Sequence, residues 1–109
     1  MHELSITQDI VDAVAARTGG AAVKSVRLEI GKLSGVVADS VRFCFEVICA
    51  GTALEGATLD ITESPGRARC HDCGGEFRLD DLILLCPCGS ANVEVLAGRQ
   101  LRINSVEVL

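Results

Sequence analysis

Apolar residues recur at helical spacing through residues 4–18, with Leu4, Val11 and Ala15 on one track and Ile6, Ile10 and Val14 beside it. That pattern predicts an amphipathic helix with one face turned to a core. Ser5-Ile-Thr-Gln8 has the form of a capping box and Gly19-Gly20 of a stop. A start a few residues earlier would instead place His2 and Glu3 on the first turn. From Val23 to Ile30 the period changes to two, with Val26, Leu28 and Ile30 alternating against Ser25, Arg27 and Glu29, the pattern of a half-buried strand. Gly31-Lys-Leu-Ser-Gly35 reads as a loop. A second helix is predicted from about Asp39 to Ala50, with Val41, Cys44, Phe45, Ile48 and Cys49 as its apolar stripe, Asp39 or Ser40 as its cap and Gly51 as its stop. Alternation returns at Ala57–Glu63, is broken by Ser64-Pro65-Gly66, and closes the chain at Leu101, Ile103 and Val106-Glu-Val108.

The order helix, strand, helix, strand, insert, strand predicts an α+β fold. A small three-stranded sheet carries two helices on one face, and a zinc-ribbon-like module is inserted between strands 2 and 3. The expected division is residues 1–66 with 97–109 as one unit and 67–96 as the other. At 109 residues and 49% hydrophobic content the chain can bury a core, and with three Phe and no Trp or Tyr that core is aliphatic. A formal charge of -5 and the lack of aromatic stacking platforms exclude a nucleic-acid partner. No apolar run reaches membrane-spanning length, and Met1-His-Glu-Leu-Ser has neither the basic region nor the apolar stretch of a secretory leader. The expected location is the reducing cytoplasm, where the six cysteines are thiols and Cys44 and Cys49 pack as small hydrophobes.

The other four cysteines form two close pairs, Cys70-His-Asp-Cys73 and Cys86-Pro-Cys88-Gly-Ser, separated by twelve residues. Two thiol pairs around a hairpin-sized spacer suit one tetrahedral ion, and four thiolates leave no open position for catalysis. Iron could take the same ligands, as in a rubredoxin-like electron carrier. Gly74, Gly75 and Gly89 stand where the backbone must turn under a sulfur. Phe77, Leu79 and Leu82-Ile-Leu-Leu85 are the insert's expected core, too small to fold without metal. His71, between two ligands, reads as an exposed side chain, or as a substitute ligand if the short C-x-C pair cannot reach. No nucleophile–base pair, phosphate loop or paired carboxylates supports an enzyme.

His2 offers a second kind of site. The Met1 amine, the His2 amide and imidazole nitrogens and the Glu3 amide nitrogen can close consecutive chelate rings in one plane, which suits Ni(II) or Cu(II) better than zinc. Asp39 is a further carboxylate candidate if the second helix starts near the N-terminus, with an ordinary capping role as the alternative. Glu46 falls on the polar side of that helix.

Taken together these residues resemble the HypA/HybF family of [NiFe]-hydrogenase nickel-insertion proteins. The resemblance is carried by Met1-His-Glu-Leu-Ser-Ile6, Leu28-Glu-Ile-Gly-Lys-Leu-Ser-Gly35, Phe43-Cys-Phe-Glu46, Gly51-Thr-Ala-Leu-Glu-Gly-Ala57, the cysteine module and Gly98-Arg-Gln-Leu-Arg-Ile103. It implies a nickel metallochaperone that is not an enzyme. Ni(II) would be transient cargo at Met1, His2 and Glu3, and structural Zn(II) would lie on Cys70, Cys73, Cys86 and Cys88. It implies a HypB-type GTPase and the hydrogenase large-subunit precursor as partners, with urease as another client of related members, and both monomers and homodimers. The reading that competes with it is a rubredoxin-like protein or a zinc-ribbon interaction module without nickel delivery. One departure stands out: the family's second pair is Cys-Pro-x-Cys-Gly-Ser, one residue longer than Cys86-Pro-Cys88-Gly-Ser.

Overall fold

The structure is a computed structural model that describes residues 2–109. Met1, one of the expected nickel-site residues, lies outside the described residues. The elements are α1 (Glu3–Thr18), β1 (Val23–Gly31), α2 (Ala38–Cys49), β2 (Thr58–Ser64), β3 (Gly66–Cys70), β4 (Glu76–Leu79), β5 (Val93–Ala97) and β6 (Leu101–Val108). They form two three-stranded sheets, ordered β2-β1-β6 and β4-β3-β5. β1 pairs parallel with β2, which requires a crossover, and α2 supplies it. β6 returns antiparallel to β1, so the segment from β3 to β5 is an insertion before the last strand.

The first core is aliphatic as predicted except for Phe45. Ile10, Val11 and Val14 of α1 and Val41, Phe45 and Cys49 of α2 pack on Val26, Leu28 and Ile30 of β1. Burial of such side chains contributes about 1.5–3 kcal/mol each, which outweighs the weak propensity of a 12-residue helix. Three local expectations differ. α1 begins at Glu3, so Ser5-Ile-Thr-Gln8 is no capping box, and the Ser5 hydroxyl donates to the His2 carbonyl at 3.1 Å. α2 is entered from Val37 without a side-chain cap; Asp39 lies in the first turn and pairs with Arg42 at 2.6 Å. Cys44 is only half-buried, whereas Cys49 is in the core.

The second core is small and borrows from the first unit. Its buried members are Ala68, Leu79 and Leu33, the last from the loop after β1. Of the run Leu82–Leu85 only Leu84 packs against it; Leu82, Ile83 and Leu85 are exposed. The run lacks regular structure, so it has no periodicity with which to present one face inward. Around Leu33 a backbone bond ties the loop after β1 to the end of the second sheet, Leu33 N–H to Gly98 O at 2.7 Å, while Gly31 N–H to Gln100 O at 2.7 Å and Lys32 N–H to Ser64 O at 2.8 Å prolong the pairing of β1 within the first sheet. The strands meet so closely that a Cβ on Gly31 would collide with Gly98 O. Gly98 itself sits at φ +112, a region open to glycine.

Candidate metal centre

β3 delivers Cys70 at its end, and the chain then turns back toward β4 through the first knuckle. Cys70 N–H donates to Gly75 O, Gly74 N–H donates to Cys70 O, and Gly74 takes φ +76. These turns aim amides at sulfur, from Cys73 N–H to Cys70 Sγ and from Gly75 N–H to Cys73 Sγ, both at 3.5 Å. The second knuckle repeats the device over a shorter span. Gly89 N–H donates to Cys86 O at 2.8 Å, Cys86 N–H to Ser90 O at 2.8 Å, and Cys88 N–H faces Cys86 Sγ at 3.5 Å.

All four sulfurs lie within 4.8 Å of one another. Cys70 Sγ is 3.7 Å from Cys88 Sγ, and Cys73 Sγ is 3.7 Å from Cys86 Sγ. Four sulfurs at about 2.3 Å from a tetrahedral ion are about 3.8 Å apart, so the donor set fits one such ion. The shortened C-x-C therefore brings Cys88 into the cluster. His71 stays outside it, half-exposed, with Nε2 3.9 Å from Glu94 Oε1. The thiols share protons as a group: the N–H of Cys73 and further hydrogen bonds lower Cys70 to about 6, while burial and the neighbouring thiols raise Cys86 to about 12 against the opposing Cys88 N–H. Deprotonated sulfur is the form that binds metal.

A brace joins the two knuckles that the spacing of cysteines did not reveal. The Asp72 carboxylate accepts from Ser90 Oγ, and from Asn92 Nδ2 at 3.4 Å. These bonds, Ser90's first, hold the Asp72 carboxyl below its ordinary range. The only sequence signal was the polar run Ser90-Ala-Asn92 directly after Cys88-Gly89.

At the other candidate site, the intrahelical ladder of α1 opens with Ile6 N–H donating to His2 O at 3.0 Å. The His2 and Glu3 amides precede it, in the part of a helix whose N–H groups have no intrahelical acceptor. Glu3 is 7% exposed, and its carboxylate Oε2 accepts Val37 N–H at 3.3 Å. That bond ties the first turn of α1 to the entry of α2. The exposed His2 lines a cleft of about 530 Å³ with Glu3, Asp39, Ser40, Phe43 and Cys44. Asp39 is thus near the start of the chain, while Glu46 lines a different cleft beyond Phe45.

Residues 1–108 match the family model described as hydrogenase/urease nickel incorporation, metallochaperone, hypA. The chain is 49% identical over 108 residues to hydrogenase maturation factor HypA of Nostoc punctiforme, covering 99% of this chain and 96% of the relative. It is 52% identical over 112 residues to the HypA of Streptomyces avermitilis, covering 97% and 86%. The solution structure of the Ni metallochaperone HypA from Helicobacter pylori superposes with a TM-score of 0.64 at 26% identity, covering 100% of this chain and 98% of that one. The chain belongs to the HypA family of nickel metallochaperones.

Proposed function

We propose that this protein carries Ni(II) on Met1, His2 and Glu3 and delivers it to the precursor of a [NiFe]-hydrogenase large subunit, with a HypB-type GTPase as helper. Structural Zn(II) is held on Cys70, Cys73, Cys86 and Cys88. The nickel unit comprises residues 1–66 and 97–109, and the zinc module residues 67–96. The observation that carries this reading is the start of α1 at Glu3, with the hydrogen-bond ladder opening only at Ile6. It puts the His2 and Glu3 amides at the helix end and the His2 side chain on a cleft rim.

The Glu3 carboxylate accepts the Val37 N–H and so ties the first turn of α1 to the entry of α2, while its amide nitrogen serves as donor. An exposed terminal site can be dismantled one ligand at a time, as delivery requires. The closed thiolate cluster suits retention. Leu4 and Phe43, exposed at 61% and 69% beside the His2 cleft, offer apolar surface for the protein that receives the metal. No α-helix among the described residues is long and apolar enough to cross a membrane, in keeping with a cytoplasmic carrier.

The test is transfer. Nickel-loaded, zinc-loaded wild type should pass radioactive nickel to a purified large-subunit precursor, and an otherwise folded His2→Ala variant should not. Equal transfer by the variant would overturn the proposal.

A further inference from the structure

β2 is an edge strand of the larger sheet, with β1 on one side and no strand among the described residues on the other. Ser64 pairs with Gly31, and its carbonyl accepts Lys32 N–H at 2.8 Å. Backbone groups of alternate residues point to opposite sides of a strand, so Thr58, Asp60 and Thr62 also turn theirs to β1. Leu59, Ile61 and Glu63 turn N–H and C=O outward, and no turn or loop among the described residues bonds to them. An open edge accepts a further strand unless charge or Pro protects it, and Pro65 lies past the end of this one.

The pairing with β1 also sets the side-chain rows. Leu59, Ile61 and Glu63 lie opposite the core residues Val26, Leu28 and Ile30, on the side of the sheet that the helices cover. Leu59 and Ile61 are half-buried there and Glu63 is exposed. Beside this row opens a cleft of about 580 Å³, lined by Phe45, Glu46 and Cys49 of α2 with Leu54, Glu55 and Leu59. Its floor is apolar, since Phe45, Cys49 and Leu54 are buried, and its rim carries the exposed Glu46 and Glu55.

These acids are uncompensated. Glu46, Glu55 and Glu63 make no ion pair among the described residues. The one cation lining the cleft among the described residues, Arg42, is held by Asp39 at 2.6 Å. Asp60, on the open face of the sheet, lies opposite Arg27, so the unmet charge belongs to the cleft side. Along that side the edge reads acid, apolar, apolar, acid: Glu46 and Glu55 near Leu59, then Ile61, then Glu63. Two such edges repel, so charge selects a basic strand over a second copy.

We infer that β2 is a docking edge for an extended basic segment of another protein. The segment adds to the sheet as a fourth strand, sets two apolar side chains beside Leu59 and Ile61, and places lysine or arginine at its ends against Glu46, Glu55 and Glu63. The inference stands independently of nickel binding and of the apolar surface beside His2. Its test uses the full-length, zinc-loaded, isotope-labelled protein and the probe acetyl-Lys-Thr-Val-Thr-Val-Thr-Lys-amide, whose side chains read the same in both chain directions. Amide shifts followed at low ionic strength, where exposed charge is least screened, should saturate with a Kd of about 1 mM or tighter and map to Leu59, Ile61 and Glu63. Of two further probes, one N-methylated at the three Thr and one at the two Val, the one whose N–H groups face β2 should lose binding. Glu46→Lys combined with Glu63→Lys should weaken the original probe about tenfold. Circular dichroism and zinc content establish that this variant is folded. No saturation at millimolar probe, shifts that map to another face, affinity unchanged by charge reversal, or binding that survives in both methylated probes and so points to an occupant other than a strand would each overturn the inference.

Discussion

Replacing Leu33 by Ala tests how the cysteine module is held. Leu33 is 4% exposed and supplies one of the three buried residues of the second core, together with Ala68 and Leu79. The substitution removes three buried carbons, worth about 2.4 kcal/mol at about 0.8 each. The space left is flanked by Gly66 and Gly98, which have no side chains to swing into it. A residual cavity adds to the transfer cost, for a total of about 3 kcal/mol. If the module opens locally before releasing its metal, that loss raises the open population about 100-fold. The assay is zinc release to a chromogenic chelator in excess, with denaturant unfolding of the same samples. Release unchanged from wild type, together with a stability loss under about 0.5 kcal/mol, would refute the view that this loop residue is a core residue of the module.

The remaining predictions concern the two sites and the junction. Cys88→Ser should lower zinc content or affinity sharply while His71→Ala leaves both intact, as read by metal analysis; the reverse result would mean that the short knuckle does not supply its second sulfur. Asp72→Ala should speed zinc release to chelator several-fold by freeing Ser90 and Asn92, with little change in the fold by circular dichroism. The Glu29 carboxyl is held below its ordinary value by the Gln100 amide first and then by Ser64. A group with a depressed folded pKa stabilises above its unfolded value, and that stability is lost as pH falls through the folded pKa. Wild type should therefore lose stability below pH 4.5, and Glu29→Gln should lose less of it over the same interval, measured by denaturant titration at each pH.

Much of this was legible in the chain itself. The period of two around Leu28 and of three to four around Val14 and Val41 placed the main elements, because one-sided burial leaves its period in the sequence. The cysteine quartet was visible because two close thiol pairs around a short spacer are a recognisable pattern, and the fold brings the four sulfurs together. What escaped depends on contacts between distant segments. Leu33 is a lone apolar residue in a loop, and only the close passage of Gly98 and Gly66 gives it a core to enter. The helix caps were misread for a related reason. Glu3 from α1 satisfies the Val37 N–H at the entry of α2, so local capping patterns at Ser5 and Asp39 went unused. The partial exposure of Cys44 follows from the cleft that it shares with His2, a meeting of two helices that neither helix encodes alone.

The most direct test of two sites with separate tasks is nickel titration of zinc-loaded wild type and His2→Ala, with zinc measured in both before and after. Wild type should take up nickel stoichiometrically and keep its zinc, and the variant should keep its zinc and lose nickel binding. Unchanged nickel affinity in the variant, or nickel that enters only by displacing zinc, would contradict the assignment of cargo to the N-terminus and scaffold to the cysteines.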